Sequence, residues 1–264
     1  MKVTVFQFAP VFGAKNRNLQ RIEQLIEDTA TDLLVLPELC TTGYLFASAD
    51  EVRSMAEPVP GGETVRRLAA ACQWKGLHVV AGMVELSDGA LYNSAVLVGP
   101  DGWIGTYRKI HLFWREKNWY SPGNLPYGVW DIGKAKVGLM VCFDWIYPEA
   151  ARSLALQGAE ILCHPANLVL PHCPDAMITR SLENRVFSIT ANRTGSESRD
   201  KGPVLKFIGK SQVLGVKGEV LFRMSDSEED ARSVEIDPLA ARNKKMLDSN
   251  DLFADRRPDL YRIQ

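Results

Sequence analysis

Three side chains able to carry out covalent hydrolysis each stand at the end of an apolar run. Cys142 closes Val-Gly-Leu-Met-Val and opens Phe-Asp-Trp. That run, set between Gly133 and Pro148, predicts a buried strand over 136–142 and a helix beginning at Pro148. The thiol then falls at the carboxyl end of a strand, the sheet edge where α/β proteins place their ligands. A free cysteine is most often a small buried hydrophobe, so the thiol by itself decides nothing. Glu38 ends Leu-Leu-Val-Leu-Pro-Glu, a second apolar run over 33–38. Lys109 lies in the extended segment 103–113 among Tyr107, Ile110 and Leu112, where an isolated ammonium would be desolvated and needs an anion beside it.

A carboxylate, an ammonium and a thiol suffice for nucleophilic catalysis. The thiolate is the reactive form, so a base must take the proton, and Glu38 is the candidate. A carboxylate beside a thiolate repels it and raises the thiol pKa. Lys109 offsets both negative charges, and its ammonium can then stabilise the oxygen that turns negative when Cys142 attacks an amide carbonyl. Glu38 passes its new proton to the departing amine and afterwards activates a water against the thioester, so one carboxylate serves both half-reactions. A Cys142–His111 dyad is the rival arrangement, since His111 is two residues from Lys109 and shares its face in a strand. It leaves Glu38 and Lys109 without a purpose.

The motifs around these residues resemble those of the nitrilase, or carbon-nitrogen hydrolase, superfamily. Leu-Pro-Glu-Leu at 36–39 with Thr-Gly-Tyr at 42–44 is similar to its glutamate motif. Tyr-Arg-Lys-Ile-His-Leu-Phe at 107–113 resembles the lysine motif, and Gly-Leu-Met-Val-Cys-Phe-Asp-Trp-Ile-Tyr-Pro-Glu at 138–149 the cysteine motif. The likeness continues through His-Pro-Ala-Asn at 164–167, Arg-Ser-Leu-Glu-Asn-Arg at 180–185, Gly-Lys-Ser at 209–211 and Asp-Arg-Arg-Pro-Asp-Leu-Tyr at 255–261. The resemblance implies an α/β fold, the four-layer α-β-β-α sandwich, with Glu38, Lys109 and Cys142 catalytic and no cofactor. It implies the backbone N–H of Phe143 as a second oxyanion donor beside Lys109. It also gives Glu116 a supporting role in orienting Lys109 and the substrate, although a glutamate between Arg115 and Lys117 could equally be a solvated loop charge.

The same resemblance bears on substrate and assembly. Cys-Phe-Asp stands where true nitrilases resemble Cys-Trp-Glu, which favours an amidase acting on a small-molecule amide. An N-carbamoyl amidohydrolase or an ω-amidase stays open, because neither Arg115, Arg180 nor Arg185 is committed by the sequence to a substrate carboxylate. A catalytically silent binding or scaffold member is the alternative of a different class. Subunits of the superfamily pair through the helix after the nucleophile strand, which implies a homodimer or higher homo-oligomer with the tail 251–264 reaching a partner subunit.

Composition narrows the setting. The chain has 264 residues without a Ser/Gly-rich linker or a low-complexity stretch, which predicts one domain over 1–264. Lys plus Arg total 31 against 32 Asp plus Glu, a balance that argues against nucleic acid or an anionic membrane as partner. Met-Lys-Val-Thr-Val-Phe-Gln-Phe is too short and polar for a signal sequence, and no run reaches the roughly 18 apolar residues of a membrane span. Five cysteines at 40, 72, 142, 163 and 173 suit a reducing compartment, so the expected location is cytoplasmic. Cys163-His164 and His172-Cys173 invite a zinc reading, but adjacent residues in a strand point to opposite faces, and the expectation is no metal.

Helices are predicted over 16–28, with Leu19, Ile22, Leu25 and Ile26 as one stripe, and over 63–74, 148–157 and about 176–185. Strands are predicted over 78–84, 91–98, 103–109, 159–164 and 186–192, and hairpins from 210–214, 219–223 and 233–236. The alternation points to layered α/β architecture. Trp114, Trp145 and Tyr147 follow two of the catalytic motifs and are candidates to line an acyl pocket. Asn167, at the end of another strand, is a candidate hydrogen-bonding partner for the substrate.

Overall fold

The computed structural model describes residues 1–199 and 202–261. In chain order the elements that build the site are β1 (Lys2–Gln7), α1 (Lys15–Asp28), β2 (Leu33–Val35), α2 (Ala49–Met55), α3 (Glu63–Lys75), β3 (His78–Ser87), β4 (Ala90–Gly99), β5 (Gly102–Arg108) and α4 (Glu116–Trp119). There follow β6 (Val129–Asp131), β7 (Lys136–Leu139), α5 (Pro148–Leu156), β8 (Ile161–Pro165), α6 (Cys173–Asn184), β9 (Phe187–Ala191), β10 (Gln212–Leu214), β11 (Val220–Arg223) and β12 (Asp230–Glu235). One sheet runs β12-β1-β2-β3-β4-β5 and the other β11-β10-β9-β8-β7-β6. Each has three neighbouring parallel strands, β1-β2-β3 and β7-β8-β9, joined through helices as parallel pairing requires.

Side-chain alternation explains the layers. In β2, Leu33 and Val35 join Val3 and Val5 of β1 in the core between the sheets, where they face Val137, Leu139, Ile161 and Ile189. Leu34 and the neighbouring Leu36 turn outward with Phe6 and Val79, against Ile22 and Ile26 of α1 and Val65 and Leu68 of α3. With both faces buried, such strands read as unbroken apolar runs. Helix α3 stops at Gly76, whose φ of 68° is cheap only for glycine and lets its N–H cap Cys72 O. On the other side, α5 starts with Pro148 at its first turn and buries Ala150, Ala151, Leu154 and Ala155. The result is the expected α-β-β-α sandwich. No helix among the described residues is long and apolar enough to cross a membrane.

Three sequence expectations change. β2 ends at Val35, and the chain from Leu36 to Cys40 leaves the strand around Pro37, which has no N–H to give a ladder. β7 ends at Leu139, before the nucleophile. Residues 233–236 form no hairpin with a sequence neighbour: β12 pairs antiparallel with β1 along its length, from Lys2 opposite Glu235 to Gln7 opposite Asp230. A pairing across the whole chain leaves no local turn signal to read. Of the tail 251–264, residues 262–264 lie outside the described residues. The described part lays Phe253 beneath Arg152 and Lys244 and leaves Leu260 and Tyr261 exposed.

Candidate active site

Glu38 leaves the first sheet where the chain crosses β3. A Cβ on Gly82 would lie 2.4 Å from the Glu38 Cα, so only glycine permits that crossing. Leu39 follows with a φ of 48°, and its neighbour Cys40 returns an N–H to Gly82 O at 3.0 Å. The Glu38 carboxylate is fully buried and used unequally. Oε1 accepts from Lys109 Nζ at 2.7 Å and from Asn93 Nδ2 at 2.7 Å, whereas Oε2 is buried with no partner among the described residues.

Lys109 sits one residue beyond β5, its N–H held by Asn93 O of β4 at 2.8 Å. Its ammonium also donates to Glu116 Oε1 at 2.8 Å, so one cation lies between two buried carboxylates. Burial alone would pull its pKa down, but Glu116 and Glu38 hold it well above the ordinary lysine value. Glu116, at the start of α4, has its pKa raised by burial and by Glu38, with Lys109 opposing. Glu116 is pinned further by Tyr44 Oη at 2.7 Å and the N–H of Phe113 at 3.1 Å. The loop carrying Tyr44 is clamped in turn by buried Glu197, which accepts the N–H groups of Tyr44 and Leu45 at 3.0 and 2.7 Å and pairs with buried Arg193.

Cys142 follows β7 and opens a 3₁₀ turn, Cys142–Ile146, with a φ of 42°. A left-handed conformation costs a side-chain-bearing residue about 1–2 kcal/mol and persists where its surroundings over-determine it. Here His164 Nε2 donates to Cys142 O at 2.8 Å from beneath. Burial lowers the His164 pKa, so the ring is neutral and its Nδ1 accepts from Thr190 Oγ1 at 3.1 Å. Asp144 closes the turn by accepting the Val141 N–H at 2.8 Å, the Tyr107 hydroxyl at 2.8 Å and His111 Nδ1 at 2.7 Å. The first N–H groups of a helical turn have no internal acceptor, and that of Phe143 has none among the described residues. Burial pushes the Cys142 thiol well above its usual range, Glu38 adding to the push and Lys109 opposing it. The resting thiol is therefore protonated and depends on a base at the moment of attack.

A thiol, a carboxylate with a free oxygen and a buried ammonium thus converge from two sheets. The family model for carbon-nitrogen hydrolases matches residues 2–245. The chain belongs to the carbon-nitrogen hydrolase family. A nitrilase of Pyrococcus abyssi is 47% identical over 264 residues, covering 99% of each chain. An (R)-stereoselective amidase of a Pseudomonas species is 36% identical over 233 residues, 86% of this chain and 82% of its own. Among solved structures, a carbon-nitrogen hydrolase from Helicobacter pylori G27 superposes with a TM-score of 0.89 at 29% identity, over 99% of this chain and 97% of that one. This chain is accordingly a hydrolase of non-peptide C–N bonds.

In this hydrolase a narrow pocket of about 10 Å³ opens onto Cys142, lined also by Phe113, Phe143, Trp145, Asn167, Leu168, Val169 and Leu170. Trp145 and Asn167 are among its lining residues, and Trp114 and Tyr147 are not. Trp114 has a φ of 48° and is 43% exposed under Arg115, and Tyr147 stacks flat on His111 with ring centroids 3.7 Å apart. His111 is engaged by Asp144 and Tyr147. Asn167 gives Nδ2 to Glu38 O at 2.9 Å, which leaves its buried Oδ1 without a partner among the described residues. Sequence reasoning missed Asn93, Asp144, His164 and Glu197. Asn93 carried one signal, a polar Asn-Ser pair inside the otherwise apolar run 91–98. His164 carried another, an imidazole in a fully buried strand that must find partners.

Proposed function

We propose that this enzyme hydrolyses a small amide to an acid and ammonia or an amine, with Cys142 as nucleophile, Glu38 as general base and acid, and Lys109 with the Phe143 N–H as oxyanion donors. The observation that carries the reading is the divided Glu38 carboxylate. One oxygen accepts from Lys109 and Asn93, and the other is buried without a partner among the described residues, near a protonated thiol. As sulfur bonds to the carbonyl carbon, the thiol proton passes to Glu38 Oε2 and the carbonyl oxygen becomes an anion facing Lys109. Collapse breaks the C–N bond, and Glu38 returns its proton to the leaving nitrogen. A water then attacks the thioester, its proton going to Glu38, and the carbon–sulfur bond breaks as Glu38 returns that proton to sulfur, which releases the acid and restores the thiol. Glu116, held by Tyr44, keeps Lys109 in place. Neither sheet holds all three groups, which supports reading the chain as one domain.

The test is ammonia release across amides, carbamoyl compounds and nitriles, with mass spectrometry for an acyl adduct on Cys142. Turnover of amides with an adduct lost in Cys142→Ala is expected; absence of both overturns the reading. Nitrile hydrolysis is the second reading, favoured by the 47% identity to a protein named nitrilase, and the nitrile arm decides it.

We also propose a homodimer, at least, in a cytoplasmic setting. Ile146 of the 3₁₀ turn, Leu156 of α5, Leu182 of α6, and Leu260 and Tyr261 of the tail are exposed apolar side chains that an isologous contact would cover. The five unpaired cysteines fit a reducing compartment. Sedimentation of the intact chain as a dimer, and of a chain lacking 251–264 with reduced mass and activity, is expected; a monomer at micromolar concentration overturns the proposal.

A further inference from the structure

We propose that the pocket selects amides whose acyl group is small, apolar and uncharged. This rests on the hydrolase reading above and narrows its substrate class. The acyl group of a substrate whose carbonyl carbon touches Cys142 must occupy the pocket walled by Phe113, Phe143, Trp145, Leu168, Val169 and Leu170. No wall residue is charged. The nearby ions are committed elsewhere: Lys109 lies between Glu38 and Glu116, and Glu38 stands at the reacting end, where the leaving nitrogen must sit.

The three arginines that might have met a substrate carboxylate are absent from the pocket lining and have other partners. Arg115 lies over the Trp114 ring, its guanidinium carbon 4.6 Å from the centroid. Arg180 donates to Glu183 at 3.0 Å and to the backbone carbonyl of Trp145 at 3.3 Å. Arg185 donates to Asn243 O at 2.7 Å and lines an open hollow with Leu182 and Met246 that shares no residue with the Cys142 pocket. A carboxylate on the acyl group would therefore be buried without a cation. Within the lining, an ammonium would find the uncommitted Asn167 Oδ1 as a polar partner, without a counter-charge.

The wall is also pinned in place. The Leu168 N–H is held by Asn192 Oδ1 at 2.8 Å, and Leu168 O accepts the N–H of Ile208 at 3.0 Å. Leu168 thus has both backbone groups occupied and is held against the pocket. The pocket is narrow, with about 10 Å³ of room, on the order of one water-sized group, which favours a small acyl group. Leu170, 42% exposed, forms the rim.

The experiment uses the full-length enzyme and two shape-matched pairs: butyramide against β-alaninamide, and 4-methylpentanamide against succinamate. An unpaired buried charge is costly enough that kcat/KM should favour the neutral member of each pair by at least about 10³-fold, equivalent to ~4 kcal/mol. Leu170→Arg, a change at the exposed rim, should lower the 4-methylpentanamide/succinamate ratio at least tenfold without lowering the butyramide/β-alaninamide ratio; Leu170→Lys repeats the test should the arginine variant misfold. Ratios within tenfold of unity, or a preference for a charged member, overturn the proposal while leaving the hydrolase reading intact. An unchanged succinamate ratio in both folded variants overturns the role given to this wall. No turnover of any amide and no adduct on Cys142 overturn the hydrolase reading, and the proposal with it.

Discussion

Replacing Lys109 by methionine keeps the length of the side chain and removes its charge. The ammonium touches Glu38 at 2.7 Å and Glu116 at 2.8 Å, so the variant loses an oxyanion donor and the counter-charge of two buried carboxylates together. A single oxyanion donor is worth about 3–4 kcal/mol. The bared carboxylates add to this, because two like charges a few ångströms apart interact by roughly 4 kcal/mol at an effective dielectric of 20 and one will keep a proton that Glu38 must be free to accept. We expect kcat to fall at least about 10³-fold in an ammonia-release assay. Breaking a buried pair costs about 3–5 kcal/mol, and at about 2–4 °C per kcal/mol for a chain near this size the melting temperature should drop by roughly 6–20 °C. Glu116→Gln added to Lys109→Met should recover part of that stability and none of the activity. A folded Lys109→Met enzyme keeping more than about a tenth of kcat has lost less than ~1.4 kcal/mol, too little for an oxyanion donor, and refutes the assignment.

Glu38→Gln should abolish both turnover and the acyl adduct, while His111→Ala keeps more than a tenth of kcat; the reverse order would make His111 the base. Asn93→Ala leaves Glu38 Oε1 one donor short and should lower kcat about 10- to 100-fold with KM little changed, whereas an equal rise in KM would mean that Asn93 serves binding. Lys244 has its pKa pulled down to about 8 by burial and by Arg185 and Arg152, from 10.5. Between those values the unfolded chain holds a proton that the folded one does not, so stability should climb with pH through the window. The wild type should gain melting temperature from pH 8 to 10 relative to Lys244→Met, and parallel curves would contradict this.

What the sequence disclosed followed from burial. Glu38, Lys109 and Cys142 each interrupt or end an apolar run, and an ion or thiol there must be accounted for before any partner is known. Asp144 and Glu197 gave no such sign. Asp144 reads as an ordinary polar residue after the cysteine, and only the folded chain brings the Val141 N–H, Tyr107 and His111 around it. Glu197 looks solvated in Gly-Ser-Glu-Ser-Arg, yet it holds backbone more than 150 residues away. β12 was misjudged for a related reason, since its partner β1 lies at the opposite end of the chain. Trp114 and Tyr147 lie near the catalytic motifs in sequence but do not line the Cys142 pocket: Trp114, with its positive φ, is 43% exposed, and the Tyr147 ring stacks on His111.

Base and ammonium belong to one sheet and the nucleophile to the other. Their separation is therefore set by the thickness of the core between the sheets, where Val35 and Ala95 meet Val137 and Leu139. The enzyme's reacting distance behaves as a gauge of that gap, bridged beside the site by Asn167 to Glu38 and by Tyr107 to Asp144. Three carbons removed from the core between the sheets, as in Leu139→Ala, let the sheets settle, and a change of even 1 Å in reacting geometry can cost about a hundredfold in rate. Hydrostatic pressure and core cavities should accordingly alter turnover well before either unfolds the chain, and a thermostable form of this enzyme would have to stiffen the space between its sheets as well as its surface.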